Sequence, residues 1–299
     1  MSVSLHNQEL RGELLRAEPM SKHTSWRVGG VADQYYKPAD LEDLSYFLRL
    51  LPNNEPLFWI GLGSNLLVRD GGIRGTVIVS SGLLNKLLLV NDETVRAEAG
   101  VASAKLARFS VQQGLTGAEF FAGIPGTVGG ALAMNAGAFG SETWSVVKSA
   151  ETMDRQGKIK KHAPEDFDIA YRHVAGPEDE WFVAAYFKLA RASGDTGRER
   201  IRSLLAKRGA TQPTQLPNAG SVFKNPEGDY AARLIEASGL KGKCIGGACV
   251  SEMHANFIVN NNLATANDIE ELIYYVQQEV ECSQGIRLEP EVRIIGEAA

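Results

Sequence analysis

Gly-Ile-Pro-Gly-Thr-Val-Gly-Gly, at positions 123–130, is the stretch of this sequence that says most about its fold. It holds four glycines and one proline in eight residues, so much of its backbone is bare. Backbone N–H groups in such a segment can converge on the oxygens of a diphosphate without help from a lysine. Positions 123–130 therefore predict a turn that holds the phosphates of a nucleotide.

A second small-residue turn, Gly-Leu-Gly-Ser-Asn at positions 61–65, follows the apolar run at 57–60. This order predicts a buried strand that opens into a loop rich in polar donors. Neither loop has the glycine spacing of the Rossmann fingerprint, and the chain contains no P-loop motif. Two phosphate-type loops suggest a dinucleotide ligand; the alternative is that each is only a tight turn.

Composition describes an ordinary globular protein with room for two domains. The chain has 299 residues, of which 44% are hydrophobic, and a net charge of -5. This charge gives no electrostatic reason to expect nucleic acid or an anionic membrane as a partner. Residues 1–16 are polar and helix-like, and no stretch approaches the roughly 20 apolar residues of a membrane span. We therefore expect a cytoplasmic protein without membrane insertion.

Cysteine and histidine patterns argue against a metal site. The three cysteines, Cys244, Cys249 and Cys282, have neither zinc-ribbon nor Cys-x-x-Cys spacing, and we expect reduced thiols. The five histidines form no pair at helical ligand spacing. Redox chemistry, if present, would need an organic cofactor.

The first two thirds of the chain predict an α+β domain at residues 1–205, with subdomains at about 1–75 and 76–205. Apolar residues recur with a helical period over 41–51, and a second helix is expected at 104–111. Strands are expected at 26–36, 57–60, 76–79, 86–90, 95–99, 145–153 and 181–189. A charged helix at 196–207 then leads into a polar connector at 209–220.

The last third predicts an α/β substrate-binding domain at residues 206–285. Helices are expected at 229–237 and 267–283, and a β-rich stretch at 255–259. Asn267 and Glu270 resemble a capping box for the long helix, and Gly285 would end it.

Residues 286–299 are expected to form a C-terminal strand, because apolar and charged residues alternate from Ile286 to Ile294. Pro290 favours an edge position. The charged face is either solvated, which is the ordinary interpretation, or it directs Glu291 and Arg293 into a cleft.

Ser221 lies in a polar loop at 218–226, Asn-Ala-Gly-Ser-Val-Phe-Lys-Asn-Pro. No Gly-x-Ser-x-Gly elbow surrounds it, which argues against an acyl-transfer nucleophile. A serine can instead protonate a strongly basic carbanion or enolate. The alternative is a turn or capping serine.

Several segments together resemble the UDP-N-acetylmuramate dehydrogenase family, also called UDP-N-acetylenolpyruvoylglucosamine reductases. They span nearly the whole chain: 23–30, 61–72, 123–137, 171–172, 220–226 and 289–293. The resemblance implies a vanillyl-alcohol-oxidase type FAD-binding fold. It also implies NADPH-dependent reduction of the enolpyruvyl ether of a UDP-sugar in peptidoglycan synthesis. The short span from Ser221 to Glu291 resembles the subgroup that lacks a substrate-covering insertion.

Residue by residue, the resemblance implies that Ser221 donates a proton, that Arg172 and Glu291 stabilise the intermediate, and that Asn225 and Lys241 contact substrate. Val174 stands where the family commonly has a serine. The expected FAD-binding residues are Gly61, Gly63, Ser64, Asn65, Gly123, Ile124, Pro125, Gly126, Thr127, Gly129, Gly130, Asn135 and Gly137.

The glycine loops contain no histidine, so we expect non-covalent FAD. We also expect a monomer whose partners are NADPH and the UDP-sugar. Two other interpretations stay open: another FAD-dependent oxidase or dehydrogenase of the same fold, or a non-catalytic protein that binds a flavin or a UDP-sugar.

Overall fold

The computed structural model describes residues 10–192, 196–261 and 263–299. The strands of its first lobe are β1 (Glu13–Pro19), β2 (Val31–Lys37), β3 (Leu57–Ile60), β4 (Leu66–Val68) and β5 (Ile73–Val79). Four of them form a sheet in the order β1-β2-β5-β3, in which only the β1–β2 pair is antiparallel. β3 and β5 end side by side, so the turn at 61–65 leaves the carboxyl edge of this sheet.

Helix α1 (Leu41–Leu50) connects β2 to β3 and confirms the helical period of this segment. It begins at Asp40, whose side chain accepts a hydrogen bond from the Asp43 N–H. Leu44 and Leu48 are buried in a core that also contains Ile78 of the first lobe and Val183 of the second. The helix therefore fills the space between the two lobes.

The second lobe has a five-stranded antiparallel sheet, with helices α2 (Ser103–Gln112), α3 (Val128–Ala133) and α4 (Thr196–Thr211) packed around its core. Its strands are β6 (Leu87–Asn91), β7 (Thr94–Glu98), β8 (Leu115–Thr116), β9 (Gly137–Ala138), β10 (Ser141–Glu142), β11 (Val147–Asp154), β12 (Ile159–His162), β13 (Asp168–Ala170), β14 (His173–Ala175), β15 (Glu180–Lys188) and β16 (Ala190–Arg191). The sheet order is β12-β11-β15-β7-β6. Short 3-10 helices lie at Met20–Lys22, Glu119–Gly123, Thr143–Ser145 and Pro164–Asp166.

Two expected boundaries fall inside elements of the structure. A division at about residue 75 would cut β5, which stays paired with the first sheet as far as Val79. A division at residue 205 would cut α4, which continues to Thr211 and so also includes the first three residues of the expected connector. We therefore propose subdomain and domain boundaries at about residues 80 and 212.

The C-terminal domain has helices α5 (Ala231–Ala237) and α6 (Ala266–Gln284) against the three-stranded sheet β17 (Cys244–Ile245), β18 (Ala248–Val250) and β19 (Ile258–Asn260). The apolar face expected for the long helix is confirmed, since all of its members are buried: Ile269, Leu272, Ile273, Val276 and Val280. This face supplies much of the domain core.

The start of α6 differs from the expected capping box at Asn267 and Glu270. Thr265 and Asp268 form the capping box instead. Asp70 of the first lobe accepts from the N–H groups of Ala266 and Asn267. The side chains of Asp70 and Thr265 therefore accept hydrogen bonds from N–H groups of the first turn, which have no acceptor within the helix. The helix accordingly begins before Asn267. Gly285 ends the helix, as expected.

Trp26 of the first lobe packs into the C-terminal domain and is hydrogen-bonded to it. The segment expected as a strand from residue 26 becomes β2 only at Val31, and Trp26 is fully buried in the core of the other domain. Its indole Nε1 donates to the Ile258 carbonyl (2.8 Å), and Asn260 Nδ2 donates to the Trp26 carbonyl (2.8 Å).

The C-terminal strand is shorter than its alternation suggests. Only β20 (Arg293–Ile295) is a strand, and it pairs in parallel with β4. Upstream, the Leu288 carbonyl accepts from Gln277 Nε2 (2.6 Å), and Pro290 forms a single bridge with Phe223. These isolated contacts replace a continuous strand ladder.

Cys244 and Cys249 form a disulfide, so the expectation of reduced thiols is wrong for this pair. They are directly opposed across the β17–β18 hairpin. This register depends on the turn between the strands, which cysteine spacing alone does not reveal. Cys282 is a free, exposed thiol, as expected.

The N-terminal expectation can be compared only in part. Residues 1–9 of the expected helix-like segment lie outside the described residues, and Glu13–Arg16 belong to strand β1. Over the described ranges, no helix is long and apolar enough to cross a bilayer.

Candidate active site

The first glycine loop, residues 61–65, presents unpaired backbone donors. In the described part of the chain, none of its five backbone N–H groups has a protein acceptor. Gly63 adopts a left-handed conformation (φ +62°), and a Cβ there would lie 2.1 Å from the His23 carbonyl oxygen. Consecutive free N–H groups in a tight turn are typical of an anion site. The loop therefore fits a nucleotide phosphate.

The second glycine loop, residues 123–130, uses most of its N–H groups internally. Val128 and Gly129 donate to the carbonyls of Val101 and Ala99 (both 2.8 Å), and Gly130 donates to Thr127 Oγ1 (3.4 Å). A Cβ at Gly129 would approach the Ala99 Cβ to 2.9 Å. Its glycines thus allow close packing, which corrects the expectation that this segment is mainly a row of free donors. Only Gly126 and Thr127 keep N–H groups without a protein acceptor, within the described residues.

The two loops meet at the junction of the lobes. Ser64 Oγ donates to the Pro125 carbonyl (2.9 Å). A cavity of about 210 Å³ lies between the lobes and reaches from Gly61 and Gly130 to the stacked rings of Trp59 and Trp181. Val174 also lines it, so this position contributes an apolar surface. The cavity and the free N–H groups together suit an elongated nucleotide.

Arg172 occupies the two-residue turn of the β13–β14 hairpin, in a left-handed conformation (φ +53°) that costs a non-glycine residue roughly 1–2 kcal/mol. Its Nη1 and Nη2 donate to the carbonyls of Asn135 (3.2 Å) and Gly137 (3.1 Å), and its Nε donates to Glu291 Oε1 (2.9 Å). The guanidinium is therefore held by three acceptors, and the structure brings together two residues that lie far apart in sequence.

Glu291 is held from two sides. Its carbonyl accepts from Asn65 Nδ2 of the first loop (3.1 Å), and its carboxylate accepts from Arg172. Both paired side chains are 17% exposed. Burial raises the pKa of the Glu291 carboxyl, and the charges of Arg172 and Lys224 offset this only in part. The carboxyl can therefore hold a proton at a higher pH than an exposed glutamate.

Ser221 is positioned next to this pair through its neighbour. The Val222 carbonyl accepts from the Glu291 N–H (2.8 Å), and the Val222 N–H donates to the Asn256 carbonyl (2.9 Å). The Ser221 hydroxyl is half-buried and has no hydrogen-bond partner among the described residues. A hydroxyl without a protein partner is available to a ligand.

Asn256 is a positioning residue that the sequence analysis missed. Its side chain accepts from the Phe223 N–H (2.9 Å) and donates to the Phe223 carbonyl (2.8 Å). This pairing holds the Ser221 loop as a strand partner would. An asparagine in the apolar run 255–259 was the available signal, because a buried amide requires partners.

Three other expected ligand-binding side chains have protein partners. Asn135 is buried, and its amide bonds Glu142, Ala170 and Trp144, so it fixes the hairpin that carries Arg172. Asn225 is exposed and accepts from the Ala231 N–H at the start of α5 (3.1 Å). Lys241 pairs with Glu236 (3.2 Å), and no contact joins it to Arg172, Ser221 or Glu291 in the described chain.

Comparisons with known proteins agree with this geometry. Residues 32–162 match the family model "FAD binding domain", and residues 212–295 match "UDP-N-acetylenolpyruvoylglucosamine reductase, C-terminal domain". These matches confirm the α+β fold with an FAD-binding part and a separate C-terminal domain.

Curated relatives cover nearly the whole chain. The UDP-N-acetylenolpyruvoylglucosamine reductase of Methylococcus capsulatus is 60% identical over 288 residues, covering 96% of this chain and 95% of that protein. The enzyme of that name from Legionella pneumophila (strain Corby) is 54% identical over 296 residues, covering 99% of this chain and 96% of that protein.

A crystal structure of the reductase from Thermus caldophilus superposes with a TM-score of 0.82 at 31% identity, covering 96% of this chain and 99% of that one. The predicted family resemblance is thereby confirmed, and with it an FAD-dependent oxidoreductase. The chain belongs to the family of UDP-N-acetylenolpyruvoylglucosamine reductases.

Proposed function

We propose that this chain reduces UDP-N-acetylglucosamine enolpyruvate to UDP-N-acetylmuramate, a step of peptidoglycan synthesis, with FAD as cofactor and NADPH as reductant. Family membership supports the reaction. The observation that carries the residue assignment is the Arg172–Glu291 contact (2.9 Å), which lies beside the segment that bears Ser221. We also propose a cytoplasmic monomer whose partners are small molecules.

FAD fits the first loop and the cavity between the lobes. The N–H groups of residues 61–65 would hold its diphosphate, with Gly126 and Thr127 facing them from the second loop. When bound, FAD takes hydride from NADPH and supplies it at N5 to the outer carbon of the enolpyruvyl double bond. Neither glycine loop contains a histidine, which supports non-covalent binding.

Arg172 and Glu291 are assigned to the charge that develops on the substrate. Hydride addition to the outer carbon leaves electron density next to the substrate carboxylate, in the form of an enediolate. Arg172 is fixed by the carbonyls of Asn135 and Gly137, so little reorganisation is needed when this charge forms. Glu291, when protonated, is a second hydrogen-bond donor to the same oxygens.

Ser221 is assigned as the proton donor to the inner carbon. Its hydroxyl has a high pKa, but an enediolate carbon is basic enough to accept its proton. Protonation completes the lactyl ether, so each turnover consumes one hydride and one proton. Asn225 and Lys241 remain proposals for substrate contact: Asn225 keeps its Nδ2 donors free among the described residues, and Lys241 is partly exposed.

A two-step anaerobic experiment tests this function. The purified protein's flavin is reduced with NADPH, UDP-N-acetylglucosamine enolpyruvate is added, and the flavin absorbance is followed. Rapid reoxidation supports the proposal. Reduction without reoxidation by this substrate would instead indicate an oxidase or dehydrogenase with another substrate, and absence of bound flavin would overturn the cofactor assignment.

Ser221→Ala tests the residue assignment in the same assay. We expect normal reduction by NADPH but reoxidation slowed by roughly 100- to 10,000-fold, the usual contribution of a general acid. Ser203→Ala, an exposed serine on α4, is the matched control. Equal reoxidation rates in the Ser221 and Ser203 variants would remove Ser221 from the reaction.

A further inference from the structure

A second cavity of about 350 Å³ lies on the other side of the loop junction, against Ser64 and Pro125. It is bounded by the turn at Thr24 and by the chain that leads to Ser221. In the part of the chain that the structure describes, its lining contains two arginines, Arg27 and Arg208, several neutral polar side chains and no carboxylate. The cavity is therefore locally positive, although the whole chain has a net charge of -5.

Arg208 is the half-buried arginine of this cavity. It lies in the last turn of α4, and its Nε donates to Gln212 Oε1 (3.1 Å). Within the described residues, no carboxylate pairs with it, and its two terminal nitrogens make no hydrogen bond. Burial alone lowers the pKa of Arg208. A partly desolvated guanidinium without a counter-ion is unfavourable, and a bound anion would remove that cost.

Phosphate is the anion that this arrangement fits best. The free nitrogens of a guanidinium are a planar fork that matches two phosphate oxygens. The same cavity touches Ser64, which belongs to the loop whose five N–H groups have no acceptor among the described residues. Positive charge from α4 would therefore complement the neutral donors of the loop.

We propose that Arg208 binds a phosphate group of a nucleotide ligand at the junction of the two glycine loops. The inference rests on the proposed function for the choice of nucleotide. Either the diphosphate of FAD or a phosphate of NADPH has the required chemistry. Arg27 lines the same cavity and adds positive charge to it.

The test uses Arg208→Gln and Arg208→Lys, with Arg202→Gln on the exposed surface of α4 as control. Flavin-free protein is titrated calorimetrically with inorganic pyrophosphate and, by flavin fluorescence, with FAD. The KM for NADPH is measured on FAD-saturated protein. We expect Arg208→Gln to weaken one nucleotide ligand by about 10- to 100-fold, the usual value of a charged hydrogen bond. Arg208→Lys should recover part of this loss.

The two nucleotide sources give different results. Weaker binding of FAD and pyrophosphate identifies the cofactor diphosphate, whereas a raised KM for NADPH with unchanged FAD affinity identifies the reductant. Unchanged values for all three ligands in a folded Arg208 variant, judged by its thermal unfolding, would overturn the proposal. If Arg208→Gln does not fold, Arg208→Lys alone decides, since it loses the fork but keeps the charge. The binding titrations need no turnover, so they remain informative if the proposed reaction fails.

Discussion

The two glycine-rich loops look alike in sequence but differ in what their backbones do. Residues 61–65 have N–H groups without protein acceptors in the described chain, whereas Val128, Gly129 and Gly130 of the second loop donate to Val101, Ala99 and Thr127. Gly63 of the first loop is needed for a left-handed turn, whereas Gly129 of the second loop is needed for close packing against Ala99. Glycine content therefore locates the junction, and the acceptors of the N–H groups decide which loop is the anion site.

The largest expected effect comes from a matched pair of glycine replacements. Gly63→Ala places a Cβ against the His23 carbonyl in a positive-φ turn, and should cost at least about 3 kcal/mol of stability and abolish flavin retention. Gly209→Ala, in α4, would place a Cβ with no atom within 4 Å and should keep both. Urea unfolding and flavin fluorescence measure the two effects. A folded Gly63→Ala variant that retains flavin would contradict the assignment of the first loop as the anion site.

The second prediction concerns Arg172, which is held by the segment that follows the second loop in sequence. Arg172→Lys removes the contacts to the carbonyls of Asn135 and Gly137, so substrate reduction should slow by roughly 100- to 1,000-fold. The FAD affinity should stay unchanged, because this arginine lies outside both loops. Stopped-flow reoxidation and flavin titration separate the two effects, with Arg202→Lys as control. A fall in FAD affinity instead would assign Arg172 to cofactor binding.

The third prediction concerns Glu291, which contacts both Asn65 of the first loop and Arg172. Burial raises its folded pKa above 4.5, so its contribution to stability is present at low pH and is lost as pH rises through the folded value. The loss is at most about 1.4 kcal/mol per pH unit. Glu291→Gln should remove this slope from urea unfolding measured across pH, while Glu227→Gln, an exposed site, retains it. An unchanged slope in Glu291→Gln would mean that another group causes it.

The proton on the Glu291 carboxyl should also affect the rate at which the substrate reoxidises the flavin. This rate should decline as pH rises through the Glu291 pKa, because the carboxyl loses the proton that it donates as a hydrogen bond. Reduction by NADPH serves as an internal comparison and should not follow this decline. A reoxidation rate without that pH dependence would remove protonated Glu291 from the mechanism.

The smallest expected effect tests the packing role of the second loop. Thr127→Val removes the side-chain oxygen that caps α3 and should cost about 1 kcal/mol of stability. The backbone N–H of residue 127 is kept, so the FAD affinity should change by less than about threefold, within 1 kcal/mol. A tenfold weaker affinity would show that the hydroxyl itself contacts the cofactor.

Sequence periodicity predicted the elements that bury a continuous apolar face. The α1 segment and the face of α6 from Ile269 to Val280 could be predicted because their partners need only be apolar. The start of α6 was missed although its capping box, Thr265 with Asp268, is a local pattern; only the added hydrogen bonds to Asp70 depend on a residue almost two hundred positions upstream. The extent of β20 likewise depends on pairing with β4, which no local pattern contains.

The candidate site was predictable through the family resemblance more than through residue pattern. Alternation around Glu291 alone favoured a solvated strand face, and only the structure brings it to Arg172. Asn256 and Arg208 went unrecognised because their significance lies in missing or distant partners. The pairing of Asn256 with Phe223, and the lack of a carboxylate beside Arg208 among the described residues, are visible only in the folded chain.

The pairing of β20 with β4 also sets the order in which the molecule can be completed during synthesis. Among the described residues, the strand that leaves the first glycine loop gains its only strand partner from residues 293–295, more than two hundred positions downstream. Domains otherwise fold from the N-terminus as the chain emerges. The nascent first lobe must therefore wait, with Trp26 and the edge of β4 uncovered, until residues 258–295 have been synthesised. Cofactor capture thus depends on residues 291–295, since a polypeptide that lacks them would carry both glycine loops but neither Glu291 nor the partner of β4.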